Sequence, residues 1–190
     1  MVLEANDRDL IDACRRGGQD AFRVLFNTYK DRVYSIALRY SGDATLAMDI
    51  TQDTFLKLLS CIGEFRGDAN FETWLFRMVV NRCLDHHRRG RRFLPLMSEL
   101  FNMVRTSGET VLHELLRVEF EASVQEVVGT LPAEQRMVIV LRYTEGLSYE
   151  QIGEILGCTT GTVGSRLNRA HKVLERRLSH LRRNRGGNNE

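Results

Sequence analysis

Residues 147–178 read LSYEQIGEILGCTTGTVGSRLNRAHKVLERRL: a helix, a tight turn and a second helix. Ser148 with Gln151 three residues on forms a capping box, which satisfies orphan backbone N–H groups where a helix starts. Ile152, Ile155 and Leu156 give that helix one apolar stripe, and Gly157 can take the left-handed conformation that ends it. Thr159 or Thr160 can cap the next helix, in which Val163, Leu167, Ala170, Leu174, Leu178 and Leu181 recur at steps of three and four. The opposite face carries Thr160, Thr162, Ser165, Arg166, Arg169, Lys172 and Arg176. Hydroxyls and guanidinium forks there suit base edges in a DNA major groove, and the cations suit phosphates. A basic helix face can equally be a solvated surface. The short first helix, the glycine turn and the small Thr-Gly-Thr start favour the DNA-reading unit.

The placement of charge supports this. The net charge of the 190 residues is only +2, yet residues 81–92 sum to +4 and residues 164–190 to +6, while 1–80 and 93–163 sum to −2 and −6. Two basic blocks on an otherwise acidic chain point to two contacts with a polyanion. At 43% hydrophobic and 27% charged the chain has a globular composition, without an apolar run long enough to cross a membrane or a signal-like N-terminus, so the cytoplasm is expected. Cys14, Cys61, Cys83 and Cys158 form no C-x-x-C pair. Cys83 with His86 and His87 would need further ligands to hold a metal, so the cysteines are expected to be small buried hydrophobes. Neither a metal nor a cofactor is expected.

Nearly every segment reads as helix. Asn6 or Asp7 can cap a short helix ending near Gly17. A second helix starts near Asp20, with Phe22, Leu25, Phe26, Tyr29, Val33, Ile36 and Tyr40 at helical spacing up to Gly42. Asp43 can cap a third, its inward face Ala47, Ile50, Phe55, Leu58, Leu59 and Ile62. A fourth carries Phe71, Trp74, Leu75, Met78, Val79 and Cys83. The loop before it, with Arg66, Asp68 and Asn70, and the residues Asn81, Arg82, Arg88 and Arg89 after it offer amides and cations suited to a single strand. The rings of Phe71 and Trp74 lie on the apolar stripe and are expected in the core.

Residues 93–108 are punctuated by Pro95 and Gly108 yet rich in Phe, Leu and Met, as expected of a linker that packs on something. A fifth helix is expected from about Glu109 to Val128, and Pro132 suits the first turn of the sixth. The expected architecture is all-α: two small helical bundles, residues 1–92 and 109–183, joined by the linker, with a disordered tail at 184–190.

Three segments in this order resemble a bacterial sigma factor of the extracytoplasmic-function class. DITQDTFLKLL is similar to its core-polymerase-binding helix, GEFRGDANFETWLFRMVVNRCLDHHRR to the segment that handles the −10 promoter element, and residues 131–178 to the domain that reads the −35 element. The resemblance implies that Asp49, Gln52, Asp53 and Leu56 dock on the β′ clamp helices of RNA polymerase. It implies that Arg66, Asp68, Asn70, Asn81 and Arg82, with the basic block of Arg88 and Arg89, take the −10 strand, and that Arg166, Arg169 and their neighbours contact −35 DNA. It also implies a contact with the polymerase β flap, and an anti-sigma partner that can hold the chain at the inner membrane. A lysine is common in the family where this chain has Gly164, which removes one phosphate contact and loosens the helix by about 1 kcal/mol relative to alanine. The same residues leave two rivals. A helix-turn-helix regulator acting without polymerase leaves the first bundle without a role. A nuclease or recombinase would need more than the two carboxylates, Asp49 and Asp53, that share a helix turn.

Overall fold

The computed structural model describes residues 5–65, 67, 70–89 and 121–186, and the side chains of 9–65, 67, 70–89 and 121–179. Four helices come first: α1 (Ala5–Arg15), α2 (Gln19–Ser41), α3 (Ala44–Cys61) and, after a 3₁₀ turn at Ile62–Glu64, α4 (Phe71–Arg88). Four follow: α5 (121–129), α6 (Ala133–Thr144), α7 (Tyr149–Leu156) and α8 (Thr160–Gly186). No strand occurs among the described residues.

Local chemistry sets the boundaries. The Asp43 carboxylate accepts from the backbone N–H of Leu46 at 3.0 Å and starts α3. Gly42, at φ 67°, closes α2 with its N–H on the Leu38 carbonyl. Helix α1 begins at Ala5, so Asn6 and Asp7 lie inside it rather than capping it. Pro132 is the residue before α6, one position earlier than expected, where its missing N–H costs nothing. Helix α8 runs to Gly186, so residues 184–186, expected as disordered tail, are helical. The linker 93–108 and the start of the fifth helix lie outside the described residues.

The first bundle packs α2 against α1, α3 and α4. Leu25, Val33, Ile36, Ile50, Leu58, Leu75 and Val79 are fully buried in it. Phe71 is buried, and Trp74 packs on Phe65 at 5.1 Å between ring centroids, so both rings serve the core. Two expected core residues are not there. Phe26 is 36% exposed and Leu59 is 55% exposed, because each sits at the edge of its helix stripe, facing outward. Cys14, Cys61 and Cys83 are buried, as small hydrophobes are. Burial pushes the Cys83 thiol far up, away from the reactive thiolate form.

The second bundle packs α6 and α7 on α8. Its centre is Met137, Leu141, Ile152, Val163, Leu167 and Ala170. The bundles are not separate bodies on a string. Helix α2 touches α6 and helix α4 touches α6 and α7, and the buried residues of both halves form one continuous cluster.

Candidate functional site

Helices α7 and α8 form the tight angle expected of residues 147–178. Ser148 Oγ accepts from the Gln151 N–H at 3.2 Å, and Gln151 Oε1 accepts from the Ser148 N–H at 2.8 Å, a complete capping box. Gly157, at φ 63°, ends α7 with its N–H on the Gly153 carbonyl. Of the two candidate caps for α8 it is Thr159 that serves: its Oγ1 accepts from the Thr162 N–H at 3.2 Å. Gly153 makes the approach of the two helices possible, since a Cβ there would lie 2.7 Å from the Cys158 carbonyl oxygen.

Helix α8 buries Val163, Leu167 and Ala170 and exposes Thr160, Ser165, Arg169, Lys172 and Arg176. Thr162 and Arg166 are half-buried. The hydroxyls of Thr162 and Thr159 are hydrogen-bonded at 3.0 Å. Arg166 donates to the Glu134 carboxylate, and its other amino group lies 3.6 Å from Cys158 Sγ. Sequence periodicity placed Arg166 on the outward face but gave no sign of this acidic partner 32 residues away.

On the first bundle, Asp49, Gln52, Asp53 and Leu56 all lie on the outer face of α3, exposed together. Beside them an apolar groove runs between α2 and α3, lined by Phe22, Phe26, Met48, Phe55, Leu56 and Leu59. Met48, Leu56 and Leu59 are each more than half exposed. The acidic rim is legible in the sequence and the groove is not, because helical period alone turns Phe26 and Leu59 inward. Acids at the edge of an apolar trough suit a protein helix carrying apolar and basic side chains.

The residues expected to handle a single strand are divided. Asn70 caps α4, its Oδ1 accepting from the Glu72 N–H at 3.0 Å, so it orders the helix start. Asn81, Arg88 and Arg89 are exposed, and Arg82 is half-buried. Arg88 pairs with Asp85 at 3.5 Å, one turn back on the same helix. Arg66 and Asp68 lie outside the described residues. Among the described residues no group of three His, Cys, Asp or Glu side chains gathers to hold a metal ion.

The buried guanidinium of Arg136, 2% exposed, was not singled out in the sequence. It donates to the carbonyls of Gly129 and Leu131, holding the end of α5, and to that of Tyr40 at 3.2 Å. It also lies 5.3 Å from the centroid of the Tyr40 ring. Burial lowers its pKa, while burial raises that of the Tyr40 phenol. A charged residue four positions from Val140 on an otherwise apolar face was the available signal.

Comparisons with known proteins agree with this arrangement. Residues 25–93 match Sigma-70 region 2, and residues 121–174 match Sigma-70 region 4. The RNA polymerase sigma-H factor of Pseudomonas aeruginosa is 34% identical over 193 residues, covering 96% of this chain and 99% of that protein. The ECF RNA polymerase sigma-E factor of Escherichia coli is 34% identical over 193 residues, covering 95% and 98%. Among solved structures, CnrH in complex with the cytosolic domain of CnrY aligns at TM-score 0.68 and 27% identity over 92% of this chain and 97% of that one. The sigma factor RpoE in complex with the anti-sigma factor NepR from Bartonella quintana aligns at TM-score 0.62 and 25% identity, over 83% and 96%. The two matched regions fall on the two bundles, in order, and the chain belongs to the extracytoplasmic-function class of RNA polymerase sigma factors.

Proposed function

We propose that this chain directs promoter-specific initiation by dividing the work between its bundles, with the roles assigned as follows and no catalysis of its own. The α3 face of Asp49, Gln52, Asp53 and Leu56, widened by the apolar groove, docks on the polymerase β′ clamp helices. Asn81 and Arg82, with Arg66, Asp68 and Asn70 at the preceding loop and the basic block of Arg88 and Arg89, take the −10 strand. Opening the duplex costs a few kcal/mol, which contacts to unstacked bases offset. Helix α8 lies in the −35 major groove, with Thr160, Thr162, Ser165 and Arg166 toward base edges and Arg169, Lys172 and Arg176 toward phosphates. The second bundle also contacts the polymerase β flap. Neither bundle need hold DNA tightly alone, because docking both on one polymerase raises the effective concentration of the second contact.

The capped α7–α8 pair with its exposed Ser165, Arg169, Lys172 and Arg176 carries the reading. We assign residues 1–92 and 109–183 to the two units. One of the similar solved structures is a complex with an anti-sigma factor, and we assign a partner of that class to the apolar groove. No described helix is long and apolar enough to cross a membrane, and we place the chain in the cytoplasm, where such a partner can hold it at the inner membrane. A gel shift separates this reading from a regulator acting without polymerase. Sequence-specific retardation only when core polymerase is present supports a sigma factor. Tight specific binding by the chain alone supports the regulator.

A further inference from the structure

Phe55 lies deep in the groove between α2 and α3, packed edge-on against Phe26 at 4.7 Å between ring centroids. Met48, Leu56 and Leu59 line it from α3, each more than half exposed. Thr51 lines it too, but its hydroxyl donates to the Ala47 carbonyl at 2.7 Å within α3. The groove holds about 340 Å³, and its walls suit apolar side chains rather than a polar molecule. Asp49 and Asp53 stand exposed on the α3 side of its rim.

The sequence contains a segment of matching character. Residues 93–104, FLPLMSELFNMV, carry eight large apolar side chains and a single charge, Glu99, where a free linker would be polar. Met97, Leu100, Phe101 and Val104 recur at i, i+3, i+4 and i+7, the spacing with which a helix lays one face into an apolar trough. Arg91 and Arg92 precede the run and Arg105 follows it, cations on both sides for a rim bearing Asp49 and Asp53.

The chain also has the reach. Helix α4 ends beside the end of α2, where Arg88 acts on the charge of the Tyr40 phenol. The near end of the groove is at Tyr34 and Met48. Tyr34 is six residues back along α2 from Tyr40, or about 9 Å at 1.5 Å per residue. Crossing one helix adds about 10–12 Å. Residues 90–96 span about 24 Å at full extension, which covers both. From Val104 the 16 residues 105–120 span up to about 55 Å, enough to return to α5, where Gln125 donates to the Arg39 carbonyl at the end of α2.

We propose that in the free chain residues 96–104 dock in the α2–α3 groove of the same chain through Met97, Leu100, Phe101 and Val104, and so compete with core polymerase for that face. The competition rests on the assignment of α3 to the β′ clamp helices; the docking itself does not. Tethering raises the local concentration of the segment to the order of 1 mM. A contact with a Kd of about 0.1 mM is then about nine-tenths formed, and the apparent Kd of polymerase for the chain rises about 10-fold.

The docking is tested in the full chain with Phe101→p-benzoylphenylalanine. Irradiation should give a cross-link within one chain that mass spectrometry maps to the groove residues of α2 and α3, Met48, Leu56 and Leu59 among them. Cross-links confined to other parts of the chain would overturn the docking, and so would cross-links formed only between two chains. The competition is tested with the double variant Leu100→Asp, Phe101→Asp, titrated against labelled core polymerase. Its Kd should fall about 10-fold below that of the wild type, with helix content by circular dichroism unchanged. Leu100→Ser with Phe101→Ser carries the test should the aspartates lower the helix content. A Kd that stays the same or rises in whichever variant keeps its helix content would overturn the competition. A wild-type chain that core polymerase does not bind would count against the α3 assignment and leave the docking to the cross-link map.

Discussion

The guanidinium of Arg166, on the outward side of α8 that we assign to DNA, donates to the carboxylate of Glu134 at the start of α6. Helix α8 thus presents one of its cations already engaged within its own bundle. To meet DNA, Arg166 must exchange that carboxylate for a base edge or a phosphate, and the carboxylate repels the incoming phosphates. Arg166→Ala should weaken −35-dependent transcription by about 5- to 150-fold, the scale of one lost base contact of about 1–3 kcal/mol, and leave polymerase binding intact. Equal loss on promoters with a scrambled −35 element would contradict the assignment. Glu134→Gln, 32 residues away, should tighten binding to −35 duplex in the presence of core polymerase, measured by fluorescence anisotropy.

Asp53 is exposed on α3 beside the apolar groove. Asp53→Arg inverts the charge of the rim without touching the core, so folding stability should move by no more than about 0.5 kcal/mol. Capture of the chain by core polymerase in a pull-down should fall sharply. Unchanged capture would refute the docking surface.

Two glycines of the helix-turn-helix should respond in opposite directions. At Gly164 a Cβ would meet Tyr149 at 3.6 Å, an ordinary contact, so Gly164→Ala should stabilise by up to about 1 kcal/mol. At Gly153 a Cβ would strike the Cys158 backbone at 2.7 Å, and Gly153→Ala should destabilise by about 1–3 kcal/mol. Thermal melts followed by circular dichroism distinguish the two. A raised melting temperature for Gly153→Ala would mean that α7 and α8 do not approach as described.

His87, near the end of α4, has its pKa lowered by burial, with the positive charge of Arg136 adding to the effect. In the unfolded chain it titrates near 6.5. A group depressed in the folded state contributes stability that is present above the unfolded value and is lost as pH falls from there through the lower folded value. Denaturant melts at pH 7.5 and 5.5 should show a loss of stability on acidification that is smaller in His87→Asn. An equal loss in that variant would exclude His87 as a source.

The features legible in the sequence were those whose partners are close along the chain. Ser148 and Gln151, Gly157, and Asp43 with Leu46 each satisfy groups within four residues, so spacing alone identified them. Helical period gave the buried stripe of α8 and the exposed acids of α3. It could not decide Phe26 and Leu59, which lie at stripe edges where a turn of the helix by a few tens of degrees separates core from groove. Nor could it show Arg32 with Glu145, Arg136 with Tyr40 or Arg166 with Glu134. Those pairs join residues 113, 96 and 32 apart, and many acids and bases along the chain could have paired equally well. The packing of one bundle on the other, set by such pairs, was therefore outside the reach of pattern.

Run-off transcription from a library of the chain's own genome, with purified core polymerase and the full chain, tests the division of labour most directly. Discrete transcripts that start downstream of shared −35 and −10 sequences, and that vanish when the chain is omitted, are the expected result. Core polymerase producing the same transcripts with or without the chain would contradict it.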